Sequence, residues 1–481
     1  MPSFDFDPQT YAELPPGRQL TARVAMLPVV ATVVFLGVGS AWLQLPPHVP
    51  LFWSIAFTGL VGYYVVGLTW DDLYEGMANG LLMGLQALLI LFVIYALVAT
   101  WVSAGTIPGM MYYGLELLSP QVFLPVTAVL SAAVAFAIGS SWTTVGTLGV
   151  AFVGIGAGLG VPEPMTAGAI LSGAYAGDKQ SPFSDTTNLA AAVTNTDLYD
   201  HIRAMRAGTA LAFGLALVGY AALGLRAGGA IPTERLADMQ AALTGTYAVS
   251  PLVALPLAVT FGLALAGSSA LPALAAGVLA GVGTTTLVQG RSFTAAWEVF
   301  MNGTAPETGV EVVDGLLATG GLTGSAWTIT VVVAALALGG LLERVGVLAS
   351  LAHYLSNRVR SVGGLVAGTG VSAVVVNALT AQQYMSIVLP GMTLRNLYEE
   401  HGLDSHDLSR AIESAGTPTG ALIPWHAGGI YMATALGVPT LDYAVYYFFG
   451  YLSPLVLLAV AATGWQLDAD GTATRSPTTA D

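Results

Sequence analysis

The chain has 481 residues, 55% hydrophobic and 9% charged, with a mean hydropathy of +0.72; a soluble domain carries about 25% charged residues, so a water-soluble fold is excluded. Long unbroken apolar runs exclude a β-barrel of short alternating segments and leave an all-α polytopic membrane protein, with room for on the order of ten to fourteen spans at about 20 residues each. The 28 acidic against 14 basic side chains, net −14, exclude nucleic acid as a partner, and the lack of cysteine excludes disulfides and thiolate chemistry.

Lys179 is the only lysine, and this arginine-dominated, acidic composition suits a high-salt cytoplasm, so a halophilic source is expected. Residues 1–23 are polar, acidic and proline-containing, without a secretory signal. Apolar segments then follow at 24–44, 51–68, 80–103 and 122–139, a broken stretch at 146–177, and 207–225. A polar linker, 226–250, precedes segments at 251–266, 268–288, 323–342 and 363–376. A second broken region covers 411–436, and 446–463 is the last span before the tail 464–481.

The two halves, 24–225 and 251–463, echo each other. EGMANG at 75–80 resembles EVFMNG at 298–303, and Gly177 falls opposite Gly416, an offset of 239. Cytoplasmic loops are richer in Lys and Arg. The loop 104–121 has no basic residue, whereas its counterpart 343–360 has Arg344, Arg358 and Arg360; Arg203 and Arg206 lie in 197–206, whose counterpart 436–445 has none. Equivalent loops are therefore expected on opposite faces, as in two inverted-topology repeats with broken or re-entrant helices. Arg18 and Arg23 put the N-terminus, and with it the C-terminus, on the cytoplasmic side of the cell membrane. Two such repeats point to a secondary transporter.

The densest polar stretch inside apolar sequence is GAYAGDKQSPFSDTTNLAAA at 173–192. Asp178, Lys179, Ser181, Ser184, Asp185, Thr186 and Asn188 crowd there around Pro182, which interrupts any helix. Intramembrane charges are costly and point to function, and unwound backbone is tolerated in a membrane where it lines a cavity. The counterpart LSRAIESAGTPTGALIPWHAGG at 408–429 holds Glu413, Thr417, Trp425 and His426 between two prolines. A third pair completes the set: GSSWTTVGTLG at 139–149, with Ser141, Thr143 and Thr144, and VVVNALTAQQYMS at 374–386, with Asn377 and Gln382. These residues are the candidate ion- or substrate-binding set.

These segments, with the GDKxSPxSDTTNLA run above all, closely resemble the signatures of the NhaC-type sodium/proton antiporter family over roughly 51–454. The resemblance implies inverted repeats with broken helices that exchange external protons for internal Na⁺, with Na⁺, protons and the bilayer as partners and no cofactor. Relatives in this family exchange carboxylates or amino acids instead. Three departures stand out against the family pattern: Gln382 replaces an Asp, Ser414 follows Glu413 where an Asp is usual, and His426 replaces an Asn. They bear on coupling stoichiometry and on the identity of the cation.

Na⁺ takes oxygen ligands, so Asp185, Thr186 and Thr143 are the Na⁺ candidates, with Ser184 beside them. Lys179 is expected to neutralise Asp178, and His426 either titrates near neutrality as a proton carrier or packs beside Trp425 and contributes shape. The alternative is Na⁺- or H⁺-coupled exchange of a small organic acid or amino acid, for which Lys179, Trp425 and His426 offer cationic and aromatic contacts. An enzyme is disfavoured, because no nucleophile–base pair or metal motif of known spacing occurs. A channel is disfavoured by the internal repeat, and a second copy of the chain stands as a candidate partner in a homodimer.

Overall fold

The computed structural model describes residues 10–227, 233–356 and 361–467, so Arg358, Arg360 and most of the C-terminal tail lie outside the described residues. The first helices are α1 (Ala22–Leu36), α2 (His48–Val61), α3 (Trp70–Met83), α4 (Leu85–Ser103), α5 (Thr106–Leu117) and α6 (Pro120–Ile138). The short α7 (Ser141–Thr144) runs through a π turn into α8 (Val150–Gly158), followed by α9 (Glu163–Asp178), α10 (Asp185–Thr194), α11 (Leu198–Ala227) and α12 (Thr233–Thr246). Next come α13 (Leu255–Leu265), α14 (Ala270–Leu287), α15 (Phe293–Asn302), α16 (Glu311–Leu317), α17 (Ala326–Arg344) and α18 (Val347–Ser356). The chain closes with α19 (Val362–Thr380), α20 (Gln383–Glu400), α21 (Ser405–Thr419), α22 (Ala427–Leu436), α23 (Thr440–Ala444) and α24 (Phe448–Thr463).

Among the described residues eight helices are long and apolar enough to cross a membrane. A ninth follows if the pair Leu236–Thr246 and Pro251–Leu265, bent by 86°, counts as one broken span. The protein is an all-α polytopic membrane protein. The expected span 80–103 proves to be two helices, because the chain turns at Gly84 between α3 and α4. The loop expected at 104–121 holds α5, whose Ile107, Met111 and Leu115 are buried, and the linker 226–250 holds α12.

Glycine decides how closely these helices approach. On α3, Gly76, Gly80 and Gly84 lie one turn apart. A Cβ at Gly80 would strike the Leu336 carbonyl and the Gly340 backbone of α17, and one at Gly84 would strike the Leu336 side chain. EGMANG is therefore a packing motif of the small-xxx-small kind, which lets two backbones touch inside a membrane. Gly173 and Gly177 do the same for α9, against the Ala128 and Ala132 carbonyls of α6. At the end of the α3–α17 seam Arg344 donates to Asp72 and Glu75, each at 2.6 Å, and Arg18 reaches Asp72 at 3.1 Å. Asp72 also closes a capping box with Thr69. The Thr69 hydroxyl and amide, together with Arg344, hold the Asp72 carboxyl well below the usual carboxylate range.

The internal duplication is sharper in the structure than in the sequence. Ser119, Ser140 and Ser184 stand at the N-cap positions of α6, α7 and α10, and Ser361, Gln382 and His426 at those of α19, α20 and α22. Each lies 242 positions after its counterpart (426 − 184, for example). The left-handed residues Gly139 and Asn195 match Ala381 and Gly437 in the same register. The offset is thus 242 rather than 239, and Gly177 stands opposite Thr419, not Gly416. Caps and chain reversals fix the correspondence; glycine identity misleads, because glycines serve packing at different places in the two halves.

Candidate functional site

Breaks from both halves converge on one cavity of about 340 Å³. The end of α9 brings Asp178, the start of α7 brings Ser140 and Ser141, the start of α10 brings Asp185 and Thr186, and the start of α20 brings Gln382, Gln383 and Tyr384. Gly139 makes one of these breaks possible: it is left-handed (φ 73°), and a Cβ there would meet the Phe183 backbone.

Two carboxylates face this space. Asp178, buried, accepts a hydrogen bond from the Ser141 amide at 2.9 Å through Oδ2, while its Oδ1 is buried with no hydrogen-bond partner among the described residues. The Ser141 hydroxyl beside it is likewise unsatisfied. Asp185 accepts from its neighbour's amide, Thr186 N, at 2.8 Å, and from the Tyr384 hydroxyl at 2.5 Å. That tyrosine bond crosses from the second half to the first. Polar amides of Gln86, Gln382 and Gln383 complete the wall. The Gln382 side chain donates to the Met83 carbonyl (3.2 Å) and leaves the α20 N-terminus without a side-chain cap.

Behind the cavity lies a second, drier cluster. Thr186 donates from its hydroxyl to Glu413 Oε1 at 3.3 Å, and Glu413 is fully buried. Glu413 Oε2 has no hydrogen bond among the described residues, with Thr417 one turn further along α21. Lys179 is buried too, and its ammonium reaches Ser414 and Ser453, each at 3.3 Å, near the Phe449 ring. The expected pairing of Lys179 with Asp178 is therefore not what the structure builds. The residue after the helix end swings its side chain to the opposite side, where Glu413 is the charge that Lys179 feels.

The remaining expected site residues are mostly structural. Thr143 and Thr144 bond back to Ser140, as helix hydroxyls commonly do, and Thr143 is occupied at the cap rather than at Asp185. The Ser181 hydroxyl accepts from the Phe183 amide, the Ser184 hydroxyl accepts from the Thr187 amide, and Asn188 donates to the Pro182 and Ser184 carbonyls. Trp425 donates to the Ala378 carbonyl.

His426 caps α22. Its Nδ1 accepts from the Gly428 amide at 2.9 Å, so that nitrogen carries no proton. Its Nε2 lies 3.1 Å from Asn377 Oδ1, the acceptor end of an amide whose nitrogen donates to Gly416 and Thr419. The network fixes a neutral Nε2–H imidazole. Sequence reading missed Tyr384, Gln86, Trp142 and the α13–α14 turn residues Ser268 and Ser269, all of which line the cavity. Tyr384 alone carried a signal, as the residue after two glutamines at a predicted break.

Set beside known proteins, the chain matches the model of the Na⁺/H⁺ antiporter family over residues 18–185 and 173–465. The chain belongs to that family. It is 52% identical to the arginine/ornithine antiporter ArcD of Halobacterium salinarum over 466 residues, which is 96% of either chain. It is 37% identical to the Na⁺/H⁺ antiporter NhaC of Alkalihalophilus pseudofirmus, covering 91% of this chain and 94% of the relative. A malate-2H⁺/Na⁺-lactate antiporter of Bacillus subtilis is 34% identical over 88% of this chain and 91% of its own. This member of the Na⁺/H⁺ antiporter family is accordingly a multi-pass transporter and not an enzyme.

Proposed function

We propose that this chain exchanges basic amino acids of the arginine and ornithine class across the membrane. The observation that carries the reading is the cavity. Its volume, about 340 Å³, falls within the roughly 300–1,000 Å³ of small-molecule sites and far exceeds the space a bare Na⁺ needs. It sets two carboxylates, one with an unsatisfied oxygen, against an uncapped helix N-terminus. A basic amino acid carries two cationic groups and one carboxylate. The cationic groups suit Asp178 and Asp185 by charge-assisted hydrogen bonds, and the carboxylate suits the start of α20, where amides and the helix dipole favour an anion. The relative that is 52% identical, an arginine/ornithine antiporter, supports this chemistry.

Na⁺/H⁺ exchange is the second reading, favoured by one geometric fact and by the 37% identical relative. Asp185 and Glu413 are linked through the adjacent Thr186, whose hydroxyl reaches Glu413, so a cation at Asp185 and a proton at Glu413 would lie one side chain apart.

Proteoliposomes separate the two. Vesicles loaded with ornithine should take up labelled arginine, with uptake dependent on internal ornithine and indifferent to Na⁺. A Na⁺ gradient that moves protons while arginine is neither taken up nor competes would overturn the amino-acid reading in favour of the cation.

A further inference from the structure

A second cavity, of about 500 Å³, lies along the same helices as the first. On α4 the first cavity is lined by Gln86 and Ile90 and the second by Ile94 and Val98. At 1.5 Å per residue, Gln86 and Val98 are about 18 Å apart on one membrane-spanning helix. The broken helix repeats the pattern: its start at Ser140 lines the first cavity, and Val150 and Val153 line the second. Helices from the two halves thus enclose two spaces, end to end.

What separates them is small and specific. The Trp142 ring stacks on the Tyr431 ring at 4.2 Å and 19°, and the Tyr431 hydroxyl donates to the Trp142 carbonyl at 2.6 Å. Tyr431 is fully buried. Gly146 fits beneath the pair: a Cβ there would meet Ile94 of α4 and the Tyr431 hydroxyl of α22. Three elements, α4, the π turn after α7 and α22, meet at this glycine.

We propose that the two cavities are the two ends of one substrate pathway and that the Trp142–Tyr431 stack is the closed gate between them. The proposal rests on the amino-acid reading only for what passes; the gate itself follows from the geometry. Opening requires the pair to unstack and the hydroxyl to leave the Trp142 carbonyl. α7 belongs to the first half and α22 to the second, so displacement of α22 against the start of the broken helix parts the stack. A guanidinium or ammonium passing between two aromatic faces meets the negative side of each ring, which suits a cation better than an anion.

The chain has no cysteine, so the test needs no background removal. Gln86→Cys and Thr434→Cys, each in the otherwise unaltered full-length protein in oriented vesicles, are reacted with a membrane-impermeant maleimide from either face. Gln86→Cys should label from one face and Thr434→Cys from the opposite face. Adding Tyr431→Ala should make Thr434→Cys reactive from both faces, with the labelling rate from the wrong face rising at least 10-fold; Tyr431→Phe, which keeps the ring, should rise less. Labelling of both cysteines from the same face, or of Thr434→Cys from neither, overturns the pathway. Unchanged sidedness in folded Tyr431→Ala overturns the gate. If Tyr431→Ala does not fold, Tyr431→Phe decides: loss of the carbonyl bond should still raise wrong-face labelling, and no rise overturns the gate. Intact sidedness without arginine exchange would sink the amino-acid reading alone.

Discussion

Ser184 and His426 hold the same place in the two halves, each the N-cap of the short helix that follows the break, 242 positions apart. In the first half a hydroxyl accepts the amide bond, and in the second an imidazole nitrogen does. The difference is chemical, because an imidazole can titrate and a hydroxyl does not. Protonating His426 at Nδ1 would remove the acceptor, uncap the helix and place a charge where nothing charged faces it in its hydrogen-bond network.

His426 should therefore act as a cap and not as a proton carrier. His426→Asn keeps an N-cap acceptor and is expected to transport with an unchanged pH profile. His426→Ala should lose about 1 kcal/mol of stability, the ordinary worth of an N-cap. Transport by His426→Asn measured from pH 5 to 9 checks this; loss of a near-neutral limb would restore the titrating role.

Asp185 and Tyr384 are expected to separate binding from turnover. Asp185→Asn should lower exchange roughly 100-fold or more, since a hydrogen bond to a charged group is worth about 1.5–3 kcal/mol and the ion pair goes with it. Tyr384→Phe leaves the carboxylate but not its orientation, so KM should rise about 10-fold with the maximal rate little altered. Initial rates of labelled substrate uptake over a concentration series read both values, and wild-type KM in Tyr384→Phe would remove the tyrosine from the site.

The Arg18–Asp72–Arg344 cluster should contribute acid-sensitive stability. The Asp72 carboxyl is held well below its ordinary range, so its contribution is fully present above the unfolded value near 4 and is lost progressively as the pH falls from there through the much lower value of the folded state. Asp72→Asn is expected to lower Tm by a few degrees at pH 7, and the gap to the parent protein should close below about pH 4. Thermal unfolding in detergent across that range tests the sign; a gap that widens toward acid would refute it.

Ser119 and Ser361 decide the orientation of the repeats. They are matching N-caps of α6 and α19, both at exposed positions. The loop charges predict inversion, so Ser119→Cys should label from outside and Ser361→Cys from the cytoplasmic side. Labelling of both from one face would mean parallel repeats.

Composition alone determined the class. With 9% charged residues, the backbone must satisfy its hydrogen bonds within helices, and no other architecture accommodates the long apolar runs. The local chemistry of the breaks was legible as well: Pro182 among polar residues and Gly139 before Ser140 mark places where a helix cannot continue. The charged residues of the site could be named from that pattern, and Asp178 and Asp185 do face one cavity.

Tertiary structure decided what each of them does. Lys179 follows Asp178 in sequence, yet its side chain turns to Ser414 and Ser453, because residues around a helix end project in different directions. Thr143 and Asn188 look like ligands in a motif, yet Thr143 donates to the Ser140 hydroxyl and Asn188 to the Pro182 and Ser184 carbonyls. Tyr384 is more than 190 positions from Asp185 yet bonds directly to it. Trp142 and Tyr431, 289 positions apart, stack on one another, a contact that no spacing reveals. One-dimensional sequence records which groups the membrane interior must satisfy; which partners satisfy them depends on helices from two distant halves being brought against one another.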